Sequence, residues 1–192
     1  MPPAARRGVR FTGFSAAALV LPALFAVVRA SANQAEPVVR FVEGTVFAEP
    51  DQRVDMIVEA IDVEDLAGFQ VTIEWNPRIV EFVDVEVLED FMTATGRTID
   101  YTPPVVEDHA VTLAAYTIPP SGVAVPGASG SGEILRLGLR TRRAGRTGID
   151  LSEVLLVNTL NDPISTGVES GQVVVVGPGS SEGIVYMPYS VR

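Results

Sequence analysis

The chain has 192 residues, with 24 acidic side chains against 14 basic ones and a single histidine, for a formal charge of −10. It contains no cysteine, so disulfides, thiolate metal sites and cysteine nucleophiles are excluded and the core alone has to hold the fold. So acidic a balance repels phosphate backbones and anionic lipid headgroups, which argues against nucleic acid or a membrane surface as partner.

Taken from the N-terminus, Arg6, Arg7 and Arg10 precede an apolar run from Phe14 to Val28, and Ala30-Ser31-Ala32 follows with small residues at alternate positions. Residues 1–32 read as a secretory signal; the run is shorter than the roughly 20 apolar residues a bilayer-spanning helix needs and carries Pro22. Arg6-Arg7 fits a twin-arginine pattern only in part. Without residues 1–32 the chain has 160 residues, 10 arginines, no lysine and a formal charge of −14. That length suits one domain with a sizeable core, exported and extracellular or held at the cell surface, with no membrane insertion once the signal is removed.

Between residues 36 and 176 the pattern predicts strand after strand. Val38–Phe47 is the first candidate, followed by Val54, Met56, Val58 and Ala60, which alternate with polar positions except at Ile57 and Ile61. The clearest strand is Gly68–Trp75, where Phe69, Val71, Ile73 and Trp75 alternate with Gln70, Thr72 and Glu74, the period of a sheet with one dry and one wet face. On that reading Trp75 faces inward with Phe69 as a core residue. Ile79–Val83 follows; Val85–Met92 reads equally as one helical turn or as a loop. Ala110–Ile118, Leu135–Leu139, Ile149–Val157 and Val173–Val176 complete the set. Strands in this number, punctuated by Pro, Gly and Asn, predict an all-β, two-sheet sandwich. Residues 177–183 are a Gly/Pro/Ser tether. Residues 184–192 are too apolar for a free tail and too few to span a bilayer, and read either as a terminal edge strand or as a sorting or attachment signal.

Catalytic signatures are sparse. His109 stands alone in a polar turn, and Ser121, Ser129 and Ser131 lie in Gly-rich stretches with no base placed near them and no nucleophile-elbow motif. Glu64-Asp65 and Glu89-Asp90 could serve as a glycosidase carboxylate pair, but acidic pairs are commonplace in turns; the expectation is a non-enzyme with no required cofactor. Asn158, Asn161 and Asp162 form an oxygen-rich loop suited to calcium, although without EF-hand spacing. Arg136, Arg140, Arg142, Arg143 and Arg146 concentrate positive charge; Arg136, Arg140 and Arg142 share a strand face that either grips an acidic partner or, as the favoured reading, neutralises the domain's own carboxylates.

Four segments together carry a family resemblance. Ile61-Asp62-Val63-Glu64-Asp65-Leu66-Ala67-Gly68-Phe69-Gln70 runs through a strand to a Trp75-Asn76-Pro77 turn and Ile79-Val80-Glu81-Phe82; Gly130-Ser131-Gly132-Glu133-Ile134-Leu135, Ala144–Leu151 and Gly171–Val175 follow in order. This succession resembles cohesin domains over about residues 38–176. The resemblance implies a nine-stranded jelly-roll sandwich related to some carbohydrate-binding modules. It also implies a non-catalytic role in protein–protein interaction, holding a dockerin module of another extracellular protein, in that family often a polysaccharide-degrading enzyme. Binding would use one outer sheet face, here Gln70, Thr72 and Glu74 with Ala114 and Tyr116 beside them. Gly68 and Gln70 stand where an Asn and an Asp commonly meet dockerin, and Asn76 replaces a turn aspartate, a mild change because both residues cap such turns. The alternatives are a carbohydrate-binding module, with polysaccharide as ligand, or a cell-surface structural or adhesin domain. Sugar binding normally needs a strip of exposed Trp or Tyr, and the chain has one Trp and four scattered Tyr.

Overall fold

The computed structural model describes residues 36–177; the expected signal, nearly all of the tether and the apolar tail lie outside the described residues. Twelve strands and one helical turn follow in order: β1 (Val38–Phe41), β2 (Thr45–Ala48), β3 (Arg53–Trp75), β4 (Val80–Val87), α1 (Glu89–Thr93), β5 (Thr98–Tyr101), β6 (Val105–Val106), β7 (Ala110–Ile118), β8 (Ala128–Thr141), β9 (Gly145–Asn158), β10 (Pro163–Ile164), β11 (Gly167–Glu169) and β12 (Gly171–Val175). Nine of them have four residues or more, in keeping with a nine-stranded jelly roll. No helix of the described residues is long and apolar enough to cross a membrane.

The 23-residue β3 organises the whole. Its first part, to Val63, pairs with β8 and β1, giving a layer β4–β8–β3–β1–β11; its last part, from Leu66, pairs with β7 and β9, giving a second layer in which β5 and β6 flank β7, and β12 and β2 continue beyond β9. The strand turns the corner through register shifts between Val58 and Leu66, where Asp62 and Asp65 adopt left-handed φ of 53° and 57°. Asp tolerates that conformation better than a β-branched residue would. Their backbone N–H groups donate to the hydroxyls of Ser131 and Ser129, each at 3.0 Å, so these serines secure the bulge from β8. Across the corner the inward parity changes, from Val54, Met56, Val58 and Ala60 to Phe69, Val71, Ile73 and Trp75, all buried.

Those side chains meet Val39, Phe41, Leu135, Leu137, Leu139, Leu113, Ile149, Leu156 and Val173 in one core. The layers approach so closely that a Cβ added at Gly171 would lie 2.9 Å from Met56 Cε and from Phe41 Cδ2. Each fully buried Leu, Ile or Val contributes about 1.5–3 kcal/mol by leaving water. Trp75 is a core residue, stacked on Phe82 with ring centroids 6.0 Å apart.

The structure corrects several boundaries. Val38–Phe47 is two strands, because Val42–Gly44 bends between them. Ile79–Val83 moves to Val80–Val87, so Val85 belongs to a strand, and the helical turn is confined to Glu89–Thr93. Val173–Val176 alternates between buried and half-buried positions, with β12 held between β9 and β2.

Candidate functional site

The register of β3 with its neighbours decides what the second layer shows to solvent. Gly68 opposes Tyr116, Gln70 opposes Ala114, and Thr72 opposes Thr112 on β7; on β9, Gly68 opposes Val157, Gln70 opposes Leu155, Thr72 opposes Ser152, and Glu74 opposes Asp150. With Phe69, Val71 and Ile73 inside, strand alternation places Gln70, Thr72, Glu74, Ala114 and Tyr116 together on the outer face. The expected site is therefore contiguous in space. Glu74 and Tyr116 are exposed, and Gln70 and Ala114 partly so.

Thr72 departs from expectation. It belongs to the outer face but is only 8% exposed, because Thr112 Oγ1 lies 2.9 Å and Glu153 Oε2 3.2 Å from its hydroxyl. Glu153 is brought there by a bulge of β9 between its pairings with Gln70 and Thr72, at a left-handed φ of 46°. The same bulge changes the parity of β9, so Leu151 and Leu156 both face the core while Leu155, 45% exposed, faces out. Leu155 and Val157 are thus members of the face that the sequence did not reveal. Its one signal was the run Val154-Leu155-Leu156-Val157, too apolar for a strand with a wet side.

The face has two halves. Around Glu74, the Ser152 hydroxyl donates to Glu74 Oε1 at 2.7 Å, with Asp150 opposite Glu74 in register and the bulged Glu153 beside Thr72. Around Gly68 the row Tyr116–Gly68–Val157 is apolar, with Ile118 further along β7, and in the next row Ala114 and Leu155 flank Gln70. The Tyr116 hydroxyl donates to Asp100 Oδ2 on β5 at 2.9 Å, and this bond to the carboxylate, with its negative charge, raises the phenol pKa above its ordinary value.

The first layer's outer face is built differently. Arg40–Glu59 and Arg136–Glu86 bridge neighbouring strands, Arg53 pairs with Asp55 on its own strand and reaches across β8 to Asp84 on β4, and Arg142 just beyond β8 pairs with Glu81 on β4. The Arg53 guanidinium, hydrogen-bonded at 2.8 and 2.9 Å, holds the Asp84 carboxyl below the usual carboxylate range against a desolvation that works the other way. Arg136 on β8 and Arg142 just beyond it therefore answer the domain's own acids. A groove of about 590 Å³ beside α1 is lined by Glu86, Glu89, Glu133 and Arg136 among others. Among the described residues no three His, Asp or Glu side chains converge as metal ligands.

The remaining candidates have structural employment. Asp65 is half-buried, and burial works against its charge. The Thr159 hydroxyl at 2.6 Å and the N–H groups of Gly127 and Thr159 at 2.6 and 3.2 Å, with the positive charge of Arg97, outweigh that and hold its pKa below the ordinary value. A Cβ at Gly127 would sit 2.4 Å from Leu66 O, so only glycine permits this approach. In the calcium candidate loop, Asn158 Oδ1 accepts from the N–H groups of Leu160 and Asp162, both at 2.9 Å, and Asn161 takes a left-handed φ of 63°; Asn158 thus closes the turn by itself. Asn76 Oδ1 likewise accepts from Arg78 N at 3.0 Å, the turn-capping role expected of it.

This architecture has counterparts among solved structures. The chain is similar to a non-cellulosomal cohesin from the archaeon Archaeoglobus fulgidus (13% identity, 74% of this chain and 92% of that one, TM-score 0.55). It is similar to the OlpC cohesin of Clostridium thermocellum, solved in a type I complex with the dockerin Doc435 (16%, 74% and 94%, TM-score 0.59). It is also similar to the sixth cohesin of Acetivibrio cellulolyticus scaffoldin B, solved with a Cel5 dockerin (11%, 74% and 100%, TM-score 0.58). The fold is that of cohesin modules. No family model and no curated protein matches the sequence, so at this distance the likeness lies in the arrangement of strands.

Proposed function

We propose that this chain is an exported, non-catalytic binding module that holds a dockerin-type module of another extracellular protein on the outer face of β5–β7–β3–β9. The observation that carries this reading is the register: residues far apart in sequence, Gln70, Glu74, Ala114 and Tyr116, share one solvent-facing side of the sheet on a cohesin fold. Flat sheet faces suit protein partners, whereas sugars are gripped by aromatic platforms, and Trp75 is buried. A link to polysaccharide degradation would come through the enzyme that carries the dockerin. Export would use residues 1–32.

The test is calorimetric titration of the chain with dockerin modules from exported proteins of the same organism, beside binding to insoluble cellulose and xylan. Saturable one-to-one binding to a dockerin, weakened at least about tenfold (1.4 kcal/mol) by the double change Gln70→Ala and Glu74→Ala, is expected. Retention on polysaccharide with no dockerin bound would replace this reading by a sugar-binding module.

A further inference from the structure

The second layer ends on β2, and that end is open. β2 pairs with β12 alone, in parallel, with Thr45 opposite Gln172 and Phe47 opposite Val174. The bonds from Gln172 N to Gly44 O at 3.0 Å and from Val176 N to Ala48 O at 2.8 Å fix the phase of this ladder. Val46 and Ala48 therefore turn their backbone groups toward β12, and the N–H and C=O groups of Thr45 and Phe47 point away from it. Among the described residues no strand receives them.

The side chains mark the same margin. Val173 and Val175 on β12 are buried, at 0% and 3% exposure, whereas Val46 and Ala48, which face the same core from β2, are only half-buried. On the outer side Phe47 is 63% exposed. Open edges are commonly guarded by charged side chains or proline. β4, an edge of the first layer, carries Glu81, Asp84 and Glu86, and β5 carries Asp100; β2, Thr45-Val46-Phe47-Ala48, carries neither charge nor proline.

A strand that covers this edge has to be apolar on both sides, one lying over Val46 and Ala48 and the other beside Phe47. The chain carries such a segment in Ile184-Val185-Tyr186-Met187, followed by Pro188, which stops a ladder because it has no N–H. These residues lie outside the described ones, but their reach follows from the topology. β12 and β2 run in the same direction and end side by side, Val175 opposite Ala48. A strand added antiparallel on the free side of β2 starts at that end, two strand spacings or about 10 Å from β12. Residues 176–183 join the two positions; they span up to about 26 Å when extended, and Gly177, Pro178, Gly179 and Gly183 suit the reversal.

We propose that residues 184–187 add to β2 as an antiparallel strand, taking up the N–H and C=O groups of Thr45 and Phe47 and covering Phe47, Val46 and Ala48. A second copy of the chain is the weaker occupant. Beyond residue 32 the chain sets 24 acidic side chains against 10 arginines, a balance that opposes self-association, while a tethered segment acts at an effective concentration in the millimolar range. β9 and β12 separate this edge from β3, so partner binding around Gln70 and Glu74 does not depend on it.

The test is hydrogen exchange at single amides, in the full chain and in a chain ended after Gly177. The amides of Val46 and Ala48 bond to β12 in both and serve as the internal standard. Thr45 and Phe47 should exchange at least about tenfold more slowly in the full chain than in the shortened one. The double change Val185→Pro and Tyr186→Pro in the full chain should remove that protection, and because it keeps the whole length it carries the comparison even if the shortened chain is unstable. Equal exchange at Thr45 and Phe47 in the full chain and the proline variant would overturn the proposal. Protection in every form that grows with protein concentration would also overturn it and assign the edge to a second copy.

Discussion

The two outer faces of this sandwich are made from the same acidic composition and end up as opposites. On the first layer, arginines on β1, β3 and β8 and one just beyond β8 pair with carboxylates of the same layer. On the second layer the acids Glu74, Asp150, Glu153 and Asp100 lie around the apolar row of Tyr116, Gly68 and Val157, in stretches (β3 from Leu66, β5, and β9 from Asp150) that contain no arginine, while Arg146 stands at the start of β9. Exposed pairs of the first kind contribute little to stability, so the difference bears on partner choice more than on folding. Among the described residues, four arginines (Arg40, Arg53, Arg136 and Arg142) pair with carboxylates of the first layer, and the acids around Glu74 on the other face have no such pairing among the ion pairs seen there, which leaves that face attractive to a basic partner.

The largest effect that would erase the comparison is in the core both faces share. Leu137, on β8 between β3 and β4, is fully buried, and Leu137→Ala should cost about 2–5 kcal/mol in chemical denaturation, lowering both faces' integrity together. Next comes the corner that sets the layers against each other. Asp65→Ala removes the acceptor of three hydrogen bonds and should cost about 2 kcal/mol. Because the folded carboxyl is held below its ordinary pKa, its contribution is complete above the unfolded value near pH 4 and disappears as pH falls through the folded one. Asp65→Asn should accordingly flatten the acid limb of the stability–pH curve below about pH 4, measured by urea midpoints.

The comparison sharpens with paired surface changes. Leu155→Glu should leave the melting temperature within about 2 °C and weaken partner binding at least about tenfold; Arg142→Ala, which breaks the pair with Glu81 on the opposite face, should cost under about 1 kcal/mol of stability and leave binding unchanged. The smallest effect concerns the turn at Asn158. Since its side chain closes that turn, millimolar calcium or a chelator should move the melting temperature by less than about 1 °C, whereas Asn158→Ala should lower the stability by about 1 kcal/mol.

How much of this was legible follows from where alternation survives. Gly68–Trp75 and Leu135–Leu139 read correctly because a strand with one dry face prints its period directly into the sequence. The continuity of β3 did not, since the register shifts at Asp62 and Asp65 break the period where the strand changes layer. β6, β10 and β11 have two or three residues each, too short to carry a pattern. That Gln70 and Glu74 point outward was legible from parity on a regular strand, and Ala114 and Tyr116 were named beside them from the cohesin resemblance; Leu155 and Val157 were not named, because the Glu153 bulge reverses parity within β9. Nor could the covering of Thr72 by Glu153 be read without that bulge. The asymmetry between the faces was hidden for a related reason, as it depends on which strand each arginine pairs with.

The most direct measurement is a set of calorimetric titrations of one dockerin module into the wild-type chain, Leu155→Glu and Arg142→Glu. The account predicts that Leu155→Glu loses binding while Arg142→Glu retains the wild-type Kd. Loss of binding in Arg142→Glu with wild-type affinity in Leu155→Glu would place the partner on the opposite layer and contradict it.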